Sequence, residues 1–186
     1  MAIEALYAEY ASGQEDALRI DGSTLALNTV GYEHHEIHSG SFYRVGFQKD
    51  VANGGTAILA ITTPNTTKWL HFRAAVDLEL EATVKLYENP TSSTGGTAVT
   101  PRNANRNSTN TSGATVASDP TVNLTGAVVL GNLILGSGRS SGGNSSAEYE
   151  WILKQNTTYL VHVTNNTANP NQVNIRCQWY EHTNVH

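Results

Sequence analysis

The chain has 186 residues, enough for one domain that buries roughly 70% of its unfolded surface, and carries 11 Lys and Arg against 16 Asp and Glu, a formal net charge of −5. Charged residues make up 15% of the chain, against about 25% in an ordinary soluble protein, and Ser, Thr, Asn and Gly fill the gap. This weakly acidic surface, with its few Arg and Lys scattered, argues against a nucleic-acid partner; there is no apolar run long enough to span a membrane and no signal-peptide order at the start, so synthesis is expected to end in a cytoplasm.

Residues 1–31 are expected to form an N-terminal arm or an added strand. "IEALYAEYA" has the spacing of two helical turns presenting Ile3, Leu6, Tyr7 and Tyr10, but so short a segment is not stable alone. The stretch "YEHHEIH", residues 32–38, then concentrates three of the seven histidines and two carboxylates. On a strand, His34, Glu36 and His38 would share one face and could serve as three ligands of an open metal site. No metal is expected, and these three are the only candidates. The order differs from the His-x-His of cupins because the first two histidines are adjacent, and no second cluster completes a site. The competing reading places the rings at a sheet edge or subunit contact, where groups titrating near pH 6.5 would make assembly acid-sensitive. Tyr-Glu-His returns at Tyr180–His182, and the two copies would meet if the first and last strands lay side by side.

From residue 32 onward the pattern is that of strands. Phe42 to Phe47 and Thr56 to Ile61 are short β-branched or aromatic runs. Leu70 to Leu86 alternates strictly: Leu70, Phe72, Ala74, Val76, Leu78, Leu80, Ala82, Val84 and Leu86 fall on one side, with His71, Arg73, Asp77, Glu79 and Glu81 on the other. Such alternation predicts a sheet with one buried face, either as one unusually long strand or as two broken near Asp77 to Glu81. From about residue 89 to 125 the chain is nearly devoid of large apolar residues. A connection of that length is expected to be disordered, functional, or held by a neighbouring chain.

Ala127 to Leu135 predicts another strand, followed by a flexible loop at 136–146, "GSGRSSGGNSS". Tyr149, Trp151 and Leu153, then Thr158 to Thr164, then Val173, Ile175, Cys177 and Trp179 complete the series. Seven to nine strands with no convincing long helix predict one all-β domain over residues 32–186, an antiparallel β-sandwich or jelly roll. The single Cys177 is expected to be a buried apolar residue of a strand.

Catalytic signatures are missing. There is no Gly-x-Ser-x-Gly elbow, phosphate loop or calcium loop. The carboxylate pairs Glu79 with Glu81 and Glu148 with Glu150 are expected on a solvated face, since a glycosidase pair needs a cleft lined by sugar-stacking rings. No enzymatic activity and no cofactor are expected.

Several segments in order, "EHHEIHSGSFYRVGF", "TPNTTKWLHF", "VKLYENP", "PRNANRNS", "LGSGRSSGG", "EWILKQNTTYLVHVTNN" and "NIRCQWYEHT", resemble the capsid decoration (cement) proteins of tailed bacteriophages. The resemblance covers about residues 32 to 182 and leaves the first thirty outside. It implies a homotrimer on the outer surface of the virion head, made in the cytoplasm of a bacterial host, whose partner is the major capsid protein. Its task would be to stabilise the expanded shell. The rival reading is a carbohydrate-binding or host-adhesion domain of a phage fibre, in which Trp69, Trp151 and Tyr180 would be stacking platforms. The alternating pattern instead favours a core or subunit contact for Trp151. A metal-dependent cupin-like enzyme is the third alternative.

Overall fold

The structure, a computed structural model, describes residues 31–136 and 150–183, together with the strand backbone at 7–9, 15–17 and 144–145. In chain order the described elements are β1 (Tyr7–Glu9), β2 (Glu15–Ala17), α1 (Tyr32–Ser39), β3 (Phe42–Val51), β4 (Thr56–Thr62), β5 (Lys68–Leu78), β6 (Ala82–Glu88), β7 (Ser92–Thr94), β8 (Thr97–Ala98), β9 (Arg102–Asn103), β10 (Thr115–Ser118), β11 (Thr121–Asn123), β12 (Val128–Leu135), β13 (Asn144–Ser145), β14 (Trp151–Leu153), β15 (Thr158–Asn165) and β16 (Asn171–Thr183). The chain divides into two compact units, residues 1–35 and 36–186.

In the first unit β1 and β2 pair antiparallel, Tyr7 opposite Ala17 and Glu9 opposite Glu15. The helical spacing of "IEALYAEYA" is therefore overridden at Tyr7–Glu9 by strand pairing; two helical turns cannot hold themselves without a surface to pack on.

The second unit is an all-β sandwich of two antiparallel sheets. One has the order β12-β6-β15-β4-β10-β8, the other β13-β5-β16-β3-β9, with β14 also on β5. The long alternating run breaks at Glu79 to Glu81, so that β5 and β6 pass to different sheets. Inward residues of both sheets meet in one core: Phe72, Val76, Ile175 and Trp179 from one side, Leu59, Ile61, Tyr159 and Val161 from the other. Fully burying such side chains contributes about 1.5–3 kcal/mol each. Cys177 lies in this core, as its alternation predicts.

The polar segment 89–125 does not need a neighbouring chain to be ordered. It adds β8 to the edge of one sheet through β10 and β9 to the edge of the other on β3. Its β7–β11 pair leads into Leu124, which with Val122 packs on Ile58, Ala60 and Leu160. β4 is thereby buried on both faces. Side-chain amides, rather than apolar burial, fix much of the rest. Buried Asn103 donates from Nδ2 to the Gly40 carbonyl at 2.8 Å and to the Asn110 carbonyl at 3.2 Å, while its Oδ1 accepts from the Asn105 amide at 2.9 Å. Short polar side chains that satisfy backbone groups in this way substitute for a ladder.

Candidate functional site

The histidine cluster is helical rather than extended. α1 ends in a Schellman motif: the Ser41 amide donates to the Glu36 carbonyl and the Gly40 amide to the Ile37 carbonyl, both at 3.1 Å. Gly40 takes φ +75°, and a Cβ there would collide with Ser108 of the long segment. On a helix His34 and His38 are one turn apart on one face, whereas Glu36, two positions from each, points away from both. The shared face expected of a strand therefore does not form. Glu36 is buried and its carboxylate accepts from Ser41 Oγ, while His34 and His38 are exposed. Among the described residues no group of three or more His, Cys, Asp or Glu could hold a metal ion. The Tyr-Glu-His copies also differ in conformation, the first helical and the second within β16.

The second copy belongs to a denser constellation on the outer face of the β5–β16–β3 sheet. Strand alternation turns Tyr180 and His182 outward while Glu181 turns in, and register places Tyr180 between Phe42 and His71. Glu150, immediately before β14, is the hub. His71 Nδ1 lies 2.7 Å from its Oε1, Tyr180 Oη donates to the same oxygen at 2.9 Å, and Arg73 Nη2 donates to Oε2 at 3.0 Å. The His71 ring stacks on Tyr180 at 4.4 Å, and its Nε2 lies 2.6 Å from Nε2 of His182. Partial burial would raise the Glu150 pKa, but the hydrogen bonds from His71 and Tyr180 and the charge of Arg73 outweigh it and hold the carboxyl below its ordinary range. Glu150 stands at the outer face, as expected, and its side chain keeps 26% exposure while His71, Arg73 and Tyr180 engage it. Glu148 lies outside the described residues. The cleft between Phe42, His71, Glu150 and Tyr180 has no room for a water molecule, and the bonds to Glu150 pin β14 to β5 and β16.

Beside it, on the same face, a trough of about 1040 Å³ opens between β3, β16, β5 and the segment from Ala98 to Arg102. Arg44, Arg73, Arg102 and Arg176 line it. No family model, curated protein or solved structure matches the chain. These arginines, read in sequence as scattered, converge because β9, β3, β16 and β5 are consecutive neighbours in one sheet. The alternation did mark Arg73 and Arg176 as outward; nothing in the sequence specified which strands pair.

A second feature lies at one margin of the sandwich. β3 packs across from β4 and β16 across from β15, so the sheet orders run in step and bring β12 and β14 to the same side. Val128, Val129, Leu133 and Ile134 of β12 are exposed there, as are Trp151 and Ile152 of β14. Trp151 is 38% exposed and Leu153 is buried, so of the core or subunit contact expected for Trp151 the core placement does not occur.

Proposed function

We propose that this protein is a structural assembly protein, a capsid decoration protein that associates as a homotrimer and binds the major capsid protein on the outer surface of an expanded phage head. The observation that carries this reading is the β12–β14 margin: six large apolar side chains exposed on two terminal strands of a sandwich. Edge strands of solitary proteins are commonly blunted by Lys, Pro or a cover. β12 contains neither Lys nor Pro, and its bulge between Val129 and Gly131 leaves the apolar side chains outside. A surface of that kind is suited to another polypeptide. The resemblance of the segment order to decoration proteins is the support for reading that polypeptide as the major capsid protein. We also read the facing orders β3-β16-β5-β14 and β4-β15-β6-β12 as a jelly-roll winding.

On this reading the work is mechanical. A protein that binds the expanded lattice and not its precursor stabilises the former by mass action. No helix among the described residues is long and apolar enough to cross a membrane.

The test is direct. Light scattering on the purified chain is expected to give a trimer, and sedimentation with phage heads is expected to show binding to expanded, undecorated shells but not to compact precursors. A monomer at micromolar concentration, or equal binding to both shells, overturns the reading. The exposed ring of Trp151 favours the adhesion alternative to a lesser degree; glycan binding without affinity for heads would select it. Tyr180 does not favour it, because it is buried and its hydroxyl is committed to Glu150.

A further inference from the structure

Arg102, Arg44, Gln178 and Arg73 stand opposite one another in register across four strands, so they form one outward row. Neighbouring strands are about 4.8 Å apart, which makes the row about 14 Å long. One step along β16, Arg176 rises between Gly46 and Ala75, whose small side chains leave the floor open. Asp77 accepts from Arg176 at 2.8 Å and Glu150 from Arg73 at 3.0 Å, and the Arg44 guanidinium lies 5.4 Å above the Phe42 ring. These contacts orient the forks of Arg176, Arg73 and Arg44. Four cations against two rim carboxylates leave the trough positive in a chain of net charge −5. Neither a carboxylate nor an aromatic ring lines it among the described residues.

We propose that this trough binds an acidic polypeptide segment in extended conformation, with carboxylates on the forks of Arg102 and Arg44. Planar guanidinium matches carboxylate bidentately, and an extended chain of four or five residues, at about 3.3 Å each, spans the row. A glycan would want a stacking ring, which the lining lacks. A nucleic acid would meet a net-acidic protein with only this local cation field. The occupant is a segment of a different protein: residues 1–31 of this chain are acidic as well, with Glu4, Glu9, Glu15, Asp16 and Asp21 against Arg19, but Glu9, Glu15 and Asp16 lie in the paired strands β1 and β2. The site is independent of the β12–β14 margin and stands whether or not the chain decorates a shell.

The test uses the full-length chain and fluorescently labelled peptides read by anisotropy. An octaglutamate peptide is expected to bind and an octalysine peptide not to. The Arg44→Gln/Arg102→Gln double variant is expected to lose about tenfold in affinity. For the unaltered chain, raising salt from about 0.05 M to about 0.3 M is expected to weaken binding about tenfold as well, a readout that needs no variant to fold. Binding of octaglutamate with no tighter binding of the peptide corresponding to residues 1–22 is expected; tighter binding of that peptide would overturn the assignment to a different protein in favour of a second copy. The proposal is overturned if octaglutamate does not bind, if the double variant binds it equally, or if an oligogalacturonate of equal charge binds more tightly than either acidic peptide.

Discussion

The indole of Trp179 donates from Nε1 to the Glu181 carboxylate at 3.0 Å, two residues along the same strand and on the same inward face. Ser112 Oγ at 2.5 Å and the Gly113 amide at 3.1 Å donate to the same carboxylate. A buried carboxylate thus fastens the interior of the long polar segment to the core.

Removing it should be expensive. Glu181→Ala leaves the Ser112 hydroxyl and the Gly113 amide without this acceptor and the Trp179 indole with Ser112 Oγ at 3.3 Å, and the expected loss is about 2–4 kcal/mol in urea denaturation. Hydrogen exchange at residues 112–114 should accelerate more than exchange in β15. A loss below about 0.5 kcal/mol would mean that water replaces the carboxylate.

Acid should release β14. The Glu150 carboxyl is held below its ordinary pKa in the folded state, so its contribution is complete above the ordinary glutamate range, about pH 4.5, and disappears as pH falls through the lower folded value. Glu88 acts in the same direction, held down chiefly by Lys154 at 2.7 Å. Thermal midpoints of the unaltered chain and Glu150→Gln should differ at pH 6 and converge as pH falls below the ordinary glutamate range. A constant difference across that range would contradict the assignment.

His162 sets a separate window. Burial lowers its pKa below 6.5, with the Tyr87 ring edge-on at 5.8 Å. The neutral ring is the folded form, so stability is full above about pH 6.5 and falls as pH drops through the depressed folded value. Replacing it, as His162→Gln, should flatten the stability profile between about pH 7 and pH 5. An unchanged slope would assign that window to other histidines.

The β12 margin can be tested by charge. Val129→Lys together with Ile134→Lys places two cations on exposed positions, 49% and 58% accessible, where the cost to the isolated fold should stay within about 0.5 kcal/mol per site. The trimer proposed above is expected to dissociate, read by light scattering, while the circular dichroism spectrum is kept. A double variant that remains fully associated would place the contact elsewhere.

The strands of the sandwich were legible because one-sided burial writes a two-residue period, and Leu70 to Leu86 and Val173 to Trp179 carry it cleanly. The break at Glu79 to Glu81 was one of two alternatives that periodicity allowed. What could not be read was order created by polar groups. Asn103, Ser112 and Asp119 hold their segment through side-chain bonds to partners distant in sequence, such as Gly40, Glu181 and the Ile58 amide, and a propensity for turns looks the same whether or not those partners exist. The histidine stretch was misassigned because its charges mask helical spacing, although the Gly40 that stops α1 was visible. The arginine trough depends on strand pairing, which local pattern does not encode.

Cys177 is the chain's one thiol, and it is enclosed at the centre of β16 with burial pushing its pKa well up. Alkylation of so enclosed a sulfur is therefore expected to wait on opening of the sandwich around β16. The molecule carries its own clock for that event: the rate of thiol modification in native buffer counts how often the sandwich opens, with no label introduced and no residue exchanged.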